Sequence, residues 1–469
     1  MIPLKIITLI DGVKVYLPDS LNLISSYVLE EQLDWFEDEI KFIRKIIQKN
    51  QHIIDIGANY GVYTLSLANL VGNYGKVYAF EPSNETAEIL LKSLQINCFK
   101  NIVVEKKALS KEIGVANLSL NKNSELNSLE RNNLDSELTE LVKITTLDES
   151  MKLFQWKKID FIKIDAEGEE ENIIQGGLKF FTLNSPLVMF EIKVGNKFNL
   201  KIIDKFDSLK YKTFKLIPGL NILAPFKKNE VIDAYSLNLF CCKPDRSNLL
   251  REQGYLVNDE DDYSDENSPL KYSLEIKARQ ISFNSQYILR LPYTKYLQEE
   301  WLLNLSKFDP LLMKSLNLYY FSKNTLIAKE KYHCLLQAYN YMHSLCKLNC
   351  SNLRLSTLAR IAIELGNRAE AVRALNILTK NIMINKKIEI SEPFLLPSDD
   401  FENINPKNNI LNFIWSSLLT SLEKTEYFSS YYSGKSTQGR IDAIIKTDFY
   451  NDEIIRRRDL ILKRYENLF

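Results

Sequence analysis

One stretch constrains this chain more than any other: Ile53-Ile54-Asp55-Ile56-Gly57-Ala58-Asn59-Tyr60-Gly61. Its isoleucines suit a short strand buried on both faces. Its glycines suit a tight turn, and Val62, Leu65, Ala68 and Val71, spaced by three, predict a helix directly afterwards. A strand, a glycine turn and a helix start form the crossover with which parallel α/β sheets hold nucleotide-like ligands. Gly57 permits the turn, and Gly61 permits close backbone approach.

The pattern repeats downstream. Val77–Phe80, Ile102–Glu105, Phe161–Ile164 and Leu187–Ile192 are strand candidates, and Ala87, Leu90, Leu91 and Leu94 have helical spacing. Such alternation predicts a mostly parallel sheet with helices on both faces. Residues 112–145 interrupt it: Asn121-Lys122-Asn123-Ser124 and Arg131-Asn132-Asn133 are polar and turn-rich, which reads as an inserted loop or hairpin ending in a strand, Val142–Thr146. Tyr235–Cys242 reads as a further strand at the sheet edge. Ahead of the crossover, Asp11-Gly12 signals a hairpin rather than a secretory leader, and a helix is expected from Leu33 to Lys49.

A chain of 469 residues with 45% hydrophobic content has material for two or three domains. The acidic stretch from Asn258 to Pro269 reads as a solvated linker. A calcium loop of the EF-hand kind needs Gly at its sixth position and Glu at its twelfth, and Tyr263 and Pro269 stand there. From about residue 290 the pattern is helical. Leu355, Leu358, Ala359 and Ala362, the turn Leu365-Gly366-Asn367, then Ala371, Ala374 and Leu375 resemble one tetratricopeptide-like hairpin. A solenoid needs about three such units, so an irregular bundle fits equally well. The expected division is a hairpin and helix over 1–50, a catalytic domain over 51–250, an acidic linker over 251–289 and a helical domain over 290–469.

Lys+Arg and Asp+Glu are both 60, so no global field draws the chain to nucleic acid or to an anionic membrane. No apolar run approaches the roughly 18 residues of a membrane span. Six cysteines without CxxC spacing suit free thiols in a cytoplasmic protein. Only three histidines are present, which leaves zinc sites and histidine-based triads poorly supplied.

Asp55 stands where the sheet meets its ligand. A pyrophosphate would be repelled there, whereas an ammonium group would be held. Asn59 occupies the place where a dinucleotide fingerprint needs its second glycine. Glu81, roughly 20 residues beyond the turn, can accept from two ribose hydroxyls. It precedes Pro82-Ser83, and Ala108 and Leu109 stand where an adenine could be flanked. These residues favour S-adenosylmethionine over a nicotinamide dinucleotide. A structural reading gives Asp55 no chemical role and makes Glu81 a helix-capping group.

The run Lys163-Ile164-Asp165-Ala166-Glu167-Gly168 places carboxylates at the carboxyl end of another strand, and Glu191 ends a neighbouring one. Methyl transfer to a hydroxyl requires an oriented acceptor and a base, and Asp165, Glu167 and Glu191 are candidates. No resident metal is assigned, although two of these carboxylates could hold a divalent cation that acidifies the hydroxyl. On the structural side, Glu169, Glu170 and Glu171 complement a helix dipole, Asp165 could be an N-cap, and Lys163 neutralises the cluster.

Together these residues resemble the FkbM-type methyltransferases. The similarity lies in Asp55-Ile56-Gly57-Ala58-Asn59-Tyr60-Gly61-Val62-Tyr63-Thr64, Phe80-Glu81-Pro82, Ile144-Thr145-Thr146-Leu147-Asp148, Asp160 to Gly168 and Phe190-Glu191-Ile192, within a span of about 35–245. The resemblance implies a class I, Rossmann-like methyltransferase fold followed by an all-α domain. S-adenosylmethionine is the implied donor and a hydroxyl the implied acceptor, on a sugar or a polyketide-like product. It further implies that Glu37 closes over the donor, and that Gly57, Gly61, Thr64, Pro82, Ser83 and Asp165 join Asp55, Asn59, Glu81 and Ala108 around it. The expected activity is O-methylation of a sugar hydroxyl in a cell-surface glycan or glycolipid, with natural-product methylation or a non-catalytic scaffold as alternatives. The C-terminal helices would serve a homodimer contact, a protein partner or acceptor choice.

Overall fold

The computed structural model describes residues 2–129, 138–194, 197–257, 287–348 and 352–466. Arg131-Asn132-Asn133, the acidic stretch from Asn258 and Cys350 lie outside the described residues. The chain divides into two compact units. The first comprises Met1–Leu216, Pro225–Glu230 and Ser236–Gln253; the second comprises Ile217–Ala224, Val231–Tyr235 and Gly254–Phe469.

The first unit opens with an antiparallel hairpin, β1 (Leu4–Thr8) and β2 (Lys14–Pro18), turning at Gly12 with φ 83°. The helix expected over Leu33–Lys49 is corrected to a shorter one, α2 (Asp38–Ile46), and a separate helix, α1 (Ile24–Gln32), precedes it. Leu33 adopts a left-handed conformation with φ 57°. Arg44 then reaches back to hold Asp34 through two hydrogen bonds of 2.7 and 2.9 Å, fixing a bend where the apolar pattern runs on.

Next come β3 (His52–Ile56), α3 (Val62–Val71), β4 (Lys76–Phe80), α4 (Asn84–Ile96) and β5 (Ile102–Glu105). The interruption in the alternation is a separate small sheet: β6 (Lys107–Leu109), β7 (Gly114–Ser119), β8 (Ser128–Leu129) and β9 (Thr139–Thr145), in the order β6-β9-β7-β8. After it follow α5 (Leu147–Phe154), β10 (Phe161–Ile164), α6 (Glu170–Gln175), α7 (Leu178–Leu183) and β11 (Leu187–Glu191). The Thr-Leu-Asp run is a structural joint: Thr146 caps α5 by accepting from the Glu149 N–H, and Asp148 accepts from the Phe180 N–H at 2.7 Å. A short pair, β12 (Lys193–Val194) and β13 (Lys197–Phe198), precedes α8 (Lys201–Ser208), β14 (Lys212–Ile217), β16 (Asn238–Cys242) and α9 (Pro244–Glu252); β15 (Ile222–Pro225), nearly all of it in the second unit, falls between β14 and β16 in the sequence.

In the main sheet the strands run β14-β16-β11-β10-β3-β4-β5. β11, β10, β3, β4 and β5 are mutually parallel, and β16 is antiparallel to both neighbours. The strand expected at the edge near Tyr235–Cys242 is therefore an interior strand, lying between β11 and β14. Its fully buried sequence, Asn238-Leu239-Phe240-Cys241-Cys242, fits that place. The chain moves outward from β3 to β5 and returns to β10 on the opposite side. The carboxyl ends of β3 and β10 thus flank the point where strand order reverses, the place where open α/β sheets bind ligands.

The second unit is helical over its described C-terminal part. Pro310–Asn324 packs on Ala328–Leu348, Asn352–Glu364 on Arg368–Asn385, and the latter on Ile410–Glu426. The turn at Gly366, with φ 79°, joins two of these as the small-residue pattern predicts. Ala359, Ala362, Ala371 and Ala374 are fully buried between them, which lets the helix axes approach closely.

Candidate active site

β3 delivers Asp55 to the reversal point with 1% of its surface exposed. Its Oδ2 accepts from the Thr64 hydroxyl at 2.5 Å, while its buried Oδ1 has no hydrogen-bond partner among the described residues. Burial raises the Asp55 carboxyl above its ordinary range, against the pull of Lys163 and Thr64. A buried acceptor without a donor is costly. An arriving ammonium would satisfy it.

Gly57 is required by its neighbour strand rather than by the turn alone. It has φ 76°, and a Cβ there would sit 1.8 Å from the carbonyl oxygen of Asp165. Its N–H and that of Ala58 are tied to the Phe80 carbonyl, so the loop is clamped onto β4. Gly61 has φ 90°, and an added Cβ would meet Leu90 Cδ1 at 2.3 Å, so its need is packing within the unit. Asn59, left-handed at φ 49°, donates its N–H to Glu81 Oε2 at 2.9 Å. Glu81 Oε1 accepts from the Ser83 N–H at 2.9 Å. Burial pushes Glu81 up to about 7 despite those two bonds. Each oxygen keeps a lone pair for further donors. Ser83 caps α4 through Thr86, and Pro82 fixes the chain between the two. Ala108 sits apart from these bonds: it lies in β6 and packs with Leu118 and Val142.

β10 supplies the second half. Lys163 pairs with Asp55 in the β3–β10 register, and its Nζ donates to Asp165 Oδ2 at 2.7 Å. Burial opposes the Lys163 charge, but Asp165, Asp55 and Glu37 outweigh it and raise its pKa. Glu167 is left-handed at φ 48°. Burial, with Asp165 and Glu170 beside it, raises Glu167 to about 8. Glu191 ends β11, and its buried Oε2 has no hydrogen-bond partner among the described residues. Burial and the same carboxylates hold Glu191 far above the usual range. One oxygen from each of Asp165, Glu167 and Glu191 lies within 4.8 Å of the others.

Asp165 is not the N-cap of α6; Glu169 holds that place. Glu170 does more than complement a dipole, because its Oε1 accepts from the N–H groups of Ala166 and Gly168 at 3.0 and 3.2 Å and fixes the loop that carries Glu167. Glu169 accepts from Ser110 and Asn172, each at 2.8 Å.

Sequence reading missed four contributors. Tyr63 donates to Glu37 Oε2 at 2.6 Å. Ser124 donates to Asn59 Oδ1 at 3.0 Å. Asn123 and Glu125 accept from the first N–H groups of α1, at Ile24 and Ser25, both at 2.9 Å. The turn-rich segment around 121–127 is thus fastened to α1 and to the glycine loop. Its local signal is ordinary turn chemistry, and its partners lie about 65–100 positions away.

The fold is that of the class I methyltransferases, which use S-adenosylmethionine. Residues 55–213 match the model of the methyltransferase FkbM domain, so the chain carries an FkbM-type methyltransferase domain. Among solved structures, it is similar to methyltransferase FkbM from Methylobacillus flagellatus (15% identity, 41% of this chain and 44% of that one, TM-score 0.28). It is also similar to a SAM-dependent O-methyltransferase from Thermotoga maritima (16% identity, 51% and 77%, TM-score 0.27). An O-methyltransferase from Bacillus cereus in complex with SAH matches at 14% identity, over 44% and 79%, with TM-score 0.26. No curated protein matches the chain.

Proposed function

We propose that the first unit transfers a methyl group to a hydroxyl, on a sugar of a cell-surface glycan or glycolipid. S-adenosylmethionine supplies the electrophilic methyl. Asp55 Oδ1 would take the donor's ammonium, Glu81 its ribose, and Gly57, Asn59, Gly61, Thr64, Pro82 and Ser83 shape the crevice around them. Glu37 closes over that crevice, and Ala108 lines the adenine side. The observation that carries the reading is the pair of carboxyls with raised pKa, Glu167 and Glu191, near Asp55, the second with an unpartnered Oε2 among the described residues. Glu167, raised to about 8, is suited to remove a proton at neutral to mildly alkaline pH. Glu191 orients the acceptor hydroxyl, and Lys163 holds Asp165 in place.

The test is methyl transfer to neutral glycosides, followed by mass spectrometry. Turnover should rise with pH through about 8, because the base must lose its proton first. Glu167→Gln should retain donor binding and slow turnover by about 100-fold or more. Unchanged turnover in that variant would remove Glu167 from the role.

A divalent cation is the second reading, favoured by three carboxylate oxygens within 4.8 Å of one another. It would acidify the acceptor hydroxyl directly. Loss of turnover in EDTA with recovery in magnesium would select it.

The division at about 250 and 290, with helices for acceptor choice, docking or self-association, belongs to the same proposal. So does a cytoplasmic location. It is supported by free thiols at Cys98, Cys241, Cys242, Cys334 and Cys346. No helix among the described residues is long and apolar enough to cross a membrane.

A further inference from the structure

We propose that Tyr63 is a positioning residue of the donor site, joining Glu37 to the Lys163–Asp165 pair; this rests on reading the crevice around Asp55 as that site. Tyr63 and Thr64 are consecutive in the first turn of α3, and each holds a different acid. Thr64 donates to Asp55 at 2.5 Å, and Tyr63 donates to Glu37 Oε2 at 2.6 Å. The Tyr63 ring also faces a cation, with Lys163 Nζ 5.0 Å from its centroid. That ammonium in turn holds Asp165 at 2.7 Å.

One aromatic side chain therefore touches an acid supplied just ahead of α2 and a base supplied by β10. Tyr63 gives its hydroxyl to the Glu37 carboxylate although it is only 6% exposed, and the same side chain presents its ring to Lys163. Such a bond fixes the orientation of the carboxyl that accepts it. The face of an aromatic ring attracts a desolvated ammonium. Burial pushes Glu37 up, and Lys163 and Tyr63 both work against that rise. Without the hydroxyl, Glu37 loses the hydrogen bond that ties it to α3, and the N-terminal corner loosens over the crevice.

The test is calorimetry of the full chain with S-adenosylmethionine. Tyr63→Phe removes the hydroxyl and keeps the ring, and donor affinity should fall about tenfold with the melting temperature little changed. Glu37→Gln should show a similar loss, and the double variant should show no further loss, because the two side chains act as a unit. Tyr63→Leu also removes the seat of Lys163 and should shift the pH dependence of donor binding, which a packing role would not do. Wild-type binding with Tyr63→Phe unaffected, or additive losses in the double variant, would overturn this inference alone. Wild-type protein that bound no donor would overturn the donor-site reading and this inference with it.

Discussion

Buried charge is handled in opposite ways in the two units. In the second, Arg360 is 4% exposed, and its guanidinium meets Glu364 at 2.7 Å and Glu402 at 2.9 Å. Tyr319 and Lys323 add further donors to Glu364. Arg457 likewise meets Glu423 and Glu453, at 3.5 and 3.1 Å. In the first unit one lysine, Lys163, serves Asp55, Glu37 and Asp165, while Glu167 and Glu191 stand beside them. Around that lysine the buried carboxylate oxygens Asp55 Oδ1, Glu170 Oε2 and Glu191 Oε2 lack any hydrogen-bond partner among the described residues. Matched ion pairs hold a fold together. A cluster of carboxylates sharing one lysine fits the place proposed above for a cationic ligand and for proton removal.

The comparison breaks most visibly at Arg360. Arg360→Leu strands Glu364 and Glu402 and should cost about 3–5 kcal/mol in denaturant unfolding. A loss below about 1 kcal/mol would show that pairing there is incidental.

Asp55→Asn tests the other side. The unfolding free energy should change little, because the carboxylate is already held at a disadvantage, but donor affinity should fall about 100-fold, roughly 2–3 kcal/mol. A variant that was strongly destabilised and bound donor normally would make Asp55 a structural residue.

Glu191→Gln sharpens the contrast by improving stability. Glu191 has a raised pKa in the folded state, so its proton is bound more tightly there than in the unfolded chain. That advantage is complete below the unfolded value near 4.5 and is lost as pH rises toward the folded value. Glutamine mimics the protonated group at every pH. The variant should therefore match wild type at pH 4 and exceed it by roughly 1 kcal/mol at pH 8.5, read from melting curves. Equal stability at both pH values would show that the carboxylate is not strained.

How much of this was legible depended on range. β5 and β10 have the bounds that the apolar runs predict, because both runs are bounded by turn or polar residues. Leu33–Glu37 was misread as helix because Trp35 and Phe36 continue an apolar pattern, while the bend is imposed by Arg44 from the next helix. β16 was misplaced at the edge because nothing in Asn238–Cys242 announces that its partners are β11 and β14. At the site, Asp55, Glu81, Asp165, Glu167 and Glu191 were visible from strand ends. The hydroxyl of Tyr63 was not, since its position in a helix reads as core until Glu37 is brought against it. The fastening of Asn123 and Glu125 to α1 spans 99 and 100 positions and has no local trace.

The most direct measurement is S-adenosylmethionine titration of the wild-type chain beside Asp55→Asn under identical conditions. Saturable one-site binding by wild type and an affinity about 100-fold weaker in the variant are the predicted results. Equal affinities, or no heat from wild type, would contradict a donor site built around the unpartnered oxygen of Asp55.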